Sequence, residues 1–248
     1  MKRFLSLGAG VQSCTVALMS ARGDLPLFDG AIFADTHAEP KAVMQYLDWL
    51  EKQLPFPVYR VSRGNLRDDL LSGKTTGSIP AFTAGGGMLW RQCTRDYKIE
   101  PVRRKMRELV GKGGSAVLVM GISWDERERE TRSPVKWVTH EYPLIERRLT
   151  RLHCLEYLRD RQLPLPTKSA CTFCPFHDDA AWREMKANDP ESWADAVDFD
   201  AKVRTGLVNI REPVFIHRSL VPLADVDLTN PAAGQLSMLD ECLGMCGV

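Results

Sequence analysis

Three groups of residues have the types and spacing for chemistry. The first is Ser6-Leu7-Gly8-Ala9-Gly10-Val11-Gln12-Ser13, which follows the apolar Phe4-Leu5 and leads into Cys14–Met19, a segment that reads as a helix. Glycines let backbone N–H groups approach an anion, Ser6 and Ser13 add hydroxyl donors, and a helix start adds positive potential. No Lys follows the glycines, so this is not a Walker A loop, and Ser13 stands at the third glycine position of a dinucleotide fingerprint. A strand–helix turn with no ligand would look the same. The second group is Cys171-Thr172-Phe173-Cys174-Pro175, with Cys93 and Cys154 upstream. Four thiolates hold zinc tetrahedrally or ligate a [4Fe–4S] cluster; inert, buried cysteines are the alternative. The third is the tail Cys242-Leu243-Gly244-Met245-Cys246. A thiol on a Gly-flanked tail can swing onto a sulfur centre and be resolved by its neighbour, or the terminus has no role.

The bulk composition narrows the setting. The chain has 248 residues, 44% apolar and 26% charged, as in ordinary globular proteins. A net charge of +1 gives no global pull towards nucleic acid. The charge is uneven, however: residues 91–110 carry seven Lys/Arg against three Asp/Glu, and 178–200 carry two against eight. That polarity suits an anionic ligand near the first segment, which carries Arg91, Arg95, Lys98, Arg103 and Arg104, basic residues that could equally bind a nucleic-acid backbone. Seven cysteines, an odd count, argue against a full disulfide framework and for metal or sulfur chemistry in a reducing compartment. The apolar runs are too short for a bilayer and no signal-peptide core opens the chain, so a cytoplasmic protein without membrane association is expected.

The elements that must position these groups follow from periodicity. Strands are predicted at 3–7, 30–34 and 58–61, with a helix at 12–21 and another opened by Pro40 that carries Val43, Leu47, Leu50 and Leu54 on one face. Asn65–Leu71 reads as a short helix, and the Gly-rich Thr75–Gly87 as a mobile active-site loop. A helix runs to about Leu109. Ala116–Met120 is the clearest strand and ends in Gly121-Ile122-Ser123-Trp124-Asp125-Glu126-Arg127. Residues 137–144 read as extended, 151–161 as a helix, and the acidic stretch to about Val203 as helical. The fold class is therefore α/β: a parallel twisted sheet with helices on both faces and a cysteine-rich, mostly helical C-terminal part. Residues 1–165 form the nucleotide-binding core, and 166–248 the cysteine-containing region and tail, packed with it as one domain. Ligands of such sheets bind beyond the carboxyl ends of the strands, where Ser6–Ser13 and Asp35–Glu39 would meet. Asp35, Glu39, Asp125 and Glu126 are candidates for Mg²⁺ or ribose contacts.

In this order the motifs resemble the adenine nucleotide alpha-hydrolase superfamily, and within it the phosphoadenosine phosphosulfate (PAPS) reductase family. The superfamily's PP-loop reads Ser-Gly-Gly-x-Asp-Ser; Ser6–Ser13 is similar but longer, with Gln12 where ATP pyrophosphatases keep Asp. Asp35-Thr36 resembles the family's Asp-Thr-Gly, with His37 replacing Gly. Cys93 to Pro101 is similar to its Cys…Lys…Pro segment. Gly121-Ile122 with Glu126 and Arg129 resembles Gly-x-Arg-x-x-Glu-x-x-x-Arg, with Ser123 where Arg is usual. Glu241-Cys242-Leu243-Gly244 is similar to the Glu-Cys-Gly that carries the reductases' thiol, with Leu243 inserted. The resemblance implies nucleotide contacts from Ser6, Gly8, Gly10, Gln12, Ser13, Asp35, Lys98, Gly121, Glu126 and Arg129. It implies a catalytic thiol at Cys242 or Cys246 and a [4Fe–4S] cluster, or zinc, on Cys93, Cys154, Cys171 and Cys174.

Two activities follow from the resemblance. In the first, the tail thiol attacks the sulfur of bound PAPS, and a thioredoxin-like dithiol releases sulfite. In the second, an ATP- and Mg²⁺-dependent sulfurtransferase adenylates and thiolates a nucleic-acid acceptor, using a separate sulfur donor. A third reading is a zinc-braced nucleotide-binding protein without turnover. A homodimer is left open.

Overall fold

The computed structural model describes residues 1–75, 79–207 and 210–229. The strands in chain order are β1 (Lys2–Leu7), β2 (Gly30–Asp35), β3 (Val58–Ser62), β4 (Phe82–Thr83), β5 (Ala116–Met120), β6 (Val138–Glu141) and β7 (Val214–Phe215). The helices are α1 (Val11–Ala21), α2 (Lys41–Glu51), α3 (Leu66–Leu71), α4 (Glu100–Val110), α5 (Pro143–Glu146), α6 (Arg151–Asp160), α7 (Asp179–Asn188) and α8 (Pro190–Gly206). Five strands make one parallel sheet in the order β3-β2-β1-β5-β6, and β4 pairs antiparallel with β7. The α/β fold read from the sequence is thus the fold observed. No helix among the described residues is long and apolar enough to cross a membrane.

The sheet is sandwiched because its central strands are apolar on both faces. All five residues of β5 are buried, as expected of a strand covered by helices on each side. In β1, Leu5 and Leu7 point to one core with Val16 of α1, Leu47 of α2 and Leu158 of α6. Phe4 points to the other, with Met106 of α4 and Ile145 of α5. The chain runs outward through β2 and β3 and then crosses back to β5 on the far side of β1. The crevice at the carboxyl ends of β1 and β5 is therefore the topological switch point, the usual ligand position in such sheets.

A third core lies beyond the sheet and joins α3, α7 and α8. It contains Trp182, Val203, Ile216 and the stacked pair Phe173 and Phe199, whose ring centroids lie 3.8 Å apart. The acidic run of 178–200 serves this region. Asp178 caps α7, Asp189 caps α8, and Asp195 and Asp198 grip Arg67. The negative charge of this run thus serves mostly helix starts and cross-links.

The segment expected to be a mobile loop is tied down where it is described. Ile79 and Ala81 are buried, β4 pairs with β7, and the Leu89 N–H donates to the Ala81 carbonyl at 2.9 Å. The glycines make the reversal of this small ladder: Gly86 has φ +85° and donates to the Thr83 carbonyl at 2.9 Å. Residues 76–78 lie outside the described part.

Buried His217 gives the fold a pH dependence. Its Nε2 lies 3.1 Å from Asp179 Oδ1 and its Nδ1 2.7 Å from Ser219 Oγ. Burial holds its pKa below the ordinary value, outweighing the pull of Asp179, and burial does the same to His140 beside Thr131. A group that binds fewer protons folded than unfolded makes stability rise with pH across its titration range. Stability should therefore be retained above pH ~6.5 and fall as pH drops through the depressed values. Thermal melts over that range check this: a Tm unchanged between pH ~7.5 and ~5.5 would contradict it.

Candidate functional site

The loop after β1 is held in shape by contacts from three parts of the chain. Gly8 N–H donates to Ser13 Oγ at 3.3 Å, and Ser13 Oγ–H donates to the Gly10 carbonyl at 3.3 Å. Ser169, from the segment before the C-x-x-C, donates its hydroxyl to the Gly8 carbonyl. Ala9 sits in the left-handed region at φ +57°, a conformation an L side chain reaches at a cost of about 1 kcal/mol or more. Such strain persists where surroundings fix it, and it gathers at ligand sites. Gly10 caps α1 with no side-chain hydrogen bond, and no acid stands in the helix's first turn. The start of α1 is thus electrostatically suited to an anion.

The turn after β5 closes on this loop from the other side. A Cβ on Gly121 would lie 2.6 Å from Ser13 Cα and 2.7 Å from Ser13 N, so only glycine permits the approach. Gln12 Nε2 then reaches Glu126 Oε2 at 3.1 Å and Ser123 Oγ at 3.4 Å, while Arg129 pairs with Glu126 Oε1 at 2.7 Å. Gln12, Ser13, Gly121, Glu126 and Arg129, chosen from the sequence as one nucleotide site, are brought together. The side chain at the position of the pyrophosphatases' Asp is an amide that donates to a carboxylate.

Beside the loop lies a narrow cleft. Ser6, Gly8 and Lys98 of the predicted set line it, with Leu7, Ile32, Phe33, Ala34, Ile99, Val102 and Leu118 as apolar surface, and Glu39, Arg103 and His140 as further polar groups. Lys98 arrives there on a π-helical turn, Arg95–Ile99, whose wide bond runs from Glu100 N–H to the Arg95 carbonyl. Pro101 has no N–H to complete the α-helical ladder, which accounts for the wider turn ahead of it. Lys98 Nζ pairs with Glu39 Oε1 at 3.2 Å. Asp35 stands apart: its Oδ1 accepts the His37 N–H at 2.7 Å and shapes the turn after β2. His37 takes φ +55° there, which explains why a glycine is suited to this position. Arg103, one of the basic run expected to hold phosphates, lines the cleft. His140, Ser123 and Ser169 were missed as site residues, because they come from distant turns and strands.

The cysteines separate. Cys93, Cys171 and Cys174 line a second, narrow cavity with Thr36, Arg91, Lys98 and Phe176. Lys98 and the Glu39 contact connect it to the first: Cys171 Sγ lies 3.4 Å from Thr36 Oγ1 and 4.0 Å from Glu39 Oε1. Burial, reinforced by Glu39, raises the Cys171 thiol well above its ordinary pKa. Cys154 is not with them. It is 1% exposed in the core beneath α1, its carbonyl accepts from Thr15, and burial pushes its thiol up to about 12. The expected four-thiolate set is therefore not gathered. Among the described residues no group of three or more His, Cys, Asp or Glu is arranged to hold a metal ion. Cys93, Cys171 and Cys174 share one cavity, without Cys154 as a fourth thiol. Cys242 and Cys246 lie outside the described residues.

Buried, protonated thiols are poor nucleophiles. In the native protein, iodoacetamide should leave Cys14 and Cys154 unmodified, since burial raises both pKa values, and should label them only after denaturation. Peptide mass spectrometry reads this, and rapid native labelling of Cys154 would contradict its placement.

Solved structures of similar fold include that of a reductase. The crystal structure of a phosphoadenylyl-sulfate (PAPS) reductase from Candida auris, in a phosphate complex, is 12% identical, with a TM-score of 0.49 over 69% of this chain and 81% of that one. No family model and no curated protein matches the chain.

Proposed function

We propose that this protein is a PAPS-reductase-like enzyme that binds an adenine nucleotide at the carboxyl edge of β1 and carries out sulfur chemistry on it. The observation that carries the reading is the joining of two loops distant in sequence: Gly8–Ser13 and Gly121–Arg129 meet at the switch point through a contact that only Gly121 allows. The cleft beside them offers an apolar surface for a base, and Lys98 and Arg103 for anionic groups. Gln12 favours the reductive form over ATP cleavage, because an amide engaged with Glu126 is not a ligand for Mg²⁺ as an aspartate would be.

In the reductive reaction a tail thiolate, from Cys242 or Cys246, attacks the sulfur of the bound sulfonucleotide. The S–O bond to the phosphate breaks, the nucleoside phosphate leaves with the electron pair, and a thiosulfonate remains on the enzyme. A thioredoxin-like dithiol then attacks the cysteine sulfur and releases sulfite, becoming a disulfide after its second thiol closes the mixed disulfide. The loop's donors and α1 bind the nucleotide's anionic part, and Lys98 holds charge beside the reacting group.

The test is sulfite release from PAPS and from adenosine 5′-phosphosulfate with a dithiol reductant, on anaerobically purified protein. Sulfite that disappears in Cys242→Ser or Cys246→Ser is the expected result. Nucleotide binding without sulfite, accompanied by ATP/pyrophosphate exchange that depends on a nucleic-acid acceptor, would replace it with the sulfurtransferase reading.

A further inference from the structure

The cleft contains an acceptor that the protein itself leaves unused. The Glu39 side chain is 2% exposed. Its Oε1 takes the Lys98 ammonium at 3.2 Å and faces the Cys171 thiol at 4.0 Å, while its Oε2 is buried with no hydrogen-bond partner. Leaving a buried carboxylate oxygen unpaired carries a desolvation cost that proteins seldom accept. Two other buried carboxylates, Asp200 and Asp179, have both oxygens engaged.

Glu39 is also held in place before any ligand arrives. It follows left-handed His37 and precedes Pro40, the N-cap of α2. The carbonyls on either side of His37 are anchored, Thr36 by Leu66 N–H at 3.0 Å and Ala38 by Thr172 N–H at 2.8 Å. A carboxylate fixed this firmly, on a residue that lines the cleft, with one oxygen neutralised by Lys98 and the other buried without a partner, is preorganised to accept a hydrogen bond from a ligand. With phosphates at the Gly8 end and a base against the apolar surface, the group nearest a lone acceptor must be an N–H or O–H of the nucleoside.

We infer that Glu39 Oε2 reads a hydrogen-bond donor on the nucleoside part of the bound nucleotide, a ribose hydroxyl or the exocyclic amine of adenine, and so sets specificity at this cleft. The inference rests on the nucleotide-binding reading above. A site built to bond such a donor rejects analogues that lack it, because the carboxylate oxygen is left unpaired again.

Isothermal titration of the full chain with ADP, 2′-deoxy-ADP, 3′-deoxy-ADP and IDP tests it, on the wild type and Glu39→Ala. The wild type should bind at least one analogue about tenfold or more weakly than ADP, and Glu39→Ala, which removes the acceptor, should lose that discrimination together with affinity for ADP. Loss with a deoxy analogue assigns the hydroxyl, and loss with IDP assigns the amine. Glu39→Met, of similar size and without an oxygen acceptor, gives the same reading where Glu39→Ala fails to fold. Equal binding of all four by the wild type, or discrimination kept in a folded variant, overturns the role of Glu39 and leaves the nucleotide site standing. No ADP binding by the wild type overturns both.

Discussion

Gly121→Ala is expected to destabilise the protein and to weaken nucleotide binding about tenfold or more, a loss of about 1.4 kcal/mol or greater. The new Cβ would lie 2.6 Å from Ser13 Cα and 2.7 Å from Ser13 N. Both are backbone atoms at the start of α1, so neither can rotate away as a side-chain end would. Either the turn after β5 retreats or the first turn of α1 moves, and both outcomes disturb the Ser13 contacts with Gly8 and Gly10. Overpacking of this kind costs roughly 1–3 kcal/mol in stability before any effect on ligand. Gly206→Ala is the matched control, since nothing lies within 4 Å of its Cβ and its φ is not positive. Denaturant melts and ADP titration of both variants give the result. A Gly121→Ala protein that binds and melts like the Gly206→Ala control would mean the two loops do not pack as described.

Asp200→Ala is expected to be the most destabilising single change outside the nucleotide site. Asp200 is 1% exposed, yet its carboxylate accepts the backbone N–H groups of Ile216 and Leu223, each at 3.0 Å, and pairs with Arg204 one helical turn on. Truncation leaves two buried N–H groups and a partly buried guanidinium without their partner. Breaking a buried pair in this way costs about 3–5 kcal/mol. Asp200→Asn keeps the size and an acceptor, and should lose distinctly less. The consequence reaches the cysteines, because Asp200 fixes the segment whose β7 holds β4, and β4 follows the Ile79-Pro80 wall of the second cavity. Urea unfolding of the two variants against wild type measures the difference. A loss for Asp200→Ala of less than about 1 kcal/mol would show the C-terminal segment is held by other means.

The sheet was legible in the sequence because its signals are local. A buried parallel strand needs an apolar run such as Ala116–Met120, and an amphipathic helix needs spaced Val43, Leu47 and Leu50; the structure buries all of these. Their alternation along the chain already implies crossover connections, hence parallel strands and a site at the carboxyl edge. The glycine loop and the Gly121–Arg129 turn could be matched to each other for the same reason: each directly follows a strand. What no local pattern carries is distance between side chains far apart in sequence. Four cysteines looked like one ligand set, but Cys154 lies on the inner face of a helix and goes into the core. The Gly-rich 79–89 stretch gave no hint of its pairing with Val214–Phe215, more than 120 residues away.

The sequence by itself determined the α/β class, the strand order's carboxyl edge as the place for a site, and the residues around the glycine loop. It did so because strand and helix periods and turn chemistry are properties of neighbouring residues. Only the tertiary structure decided that Gly121 must be a glycine, that Cys154 is a core residue, that Lys98 sits on a π-turn beside Glu39, and that one Glu39 oxygen is buried without a partner. Those are consequences of packing, where burial, desolvation and close approach act between segments that the chain itself keeps apart.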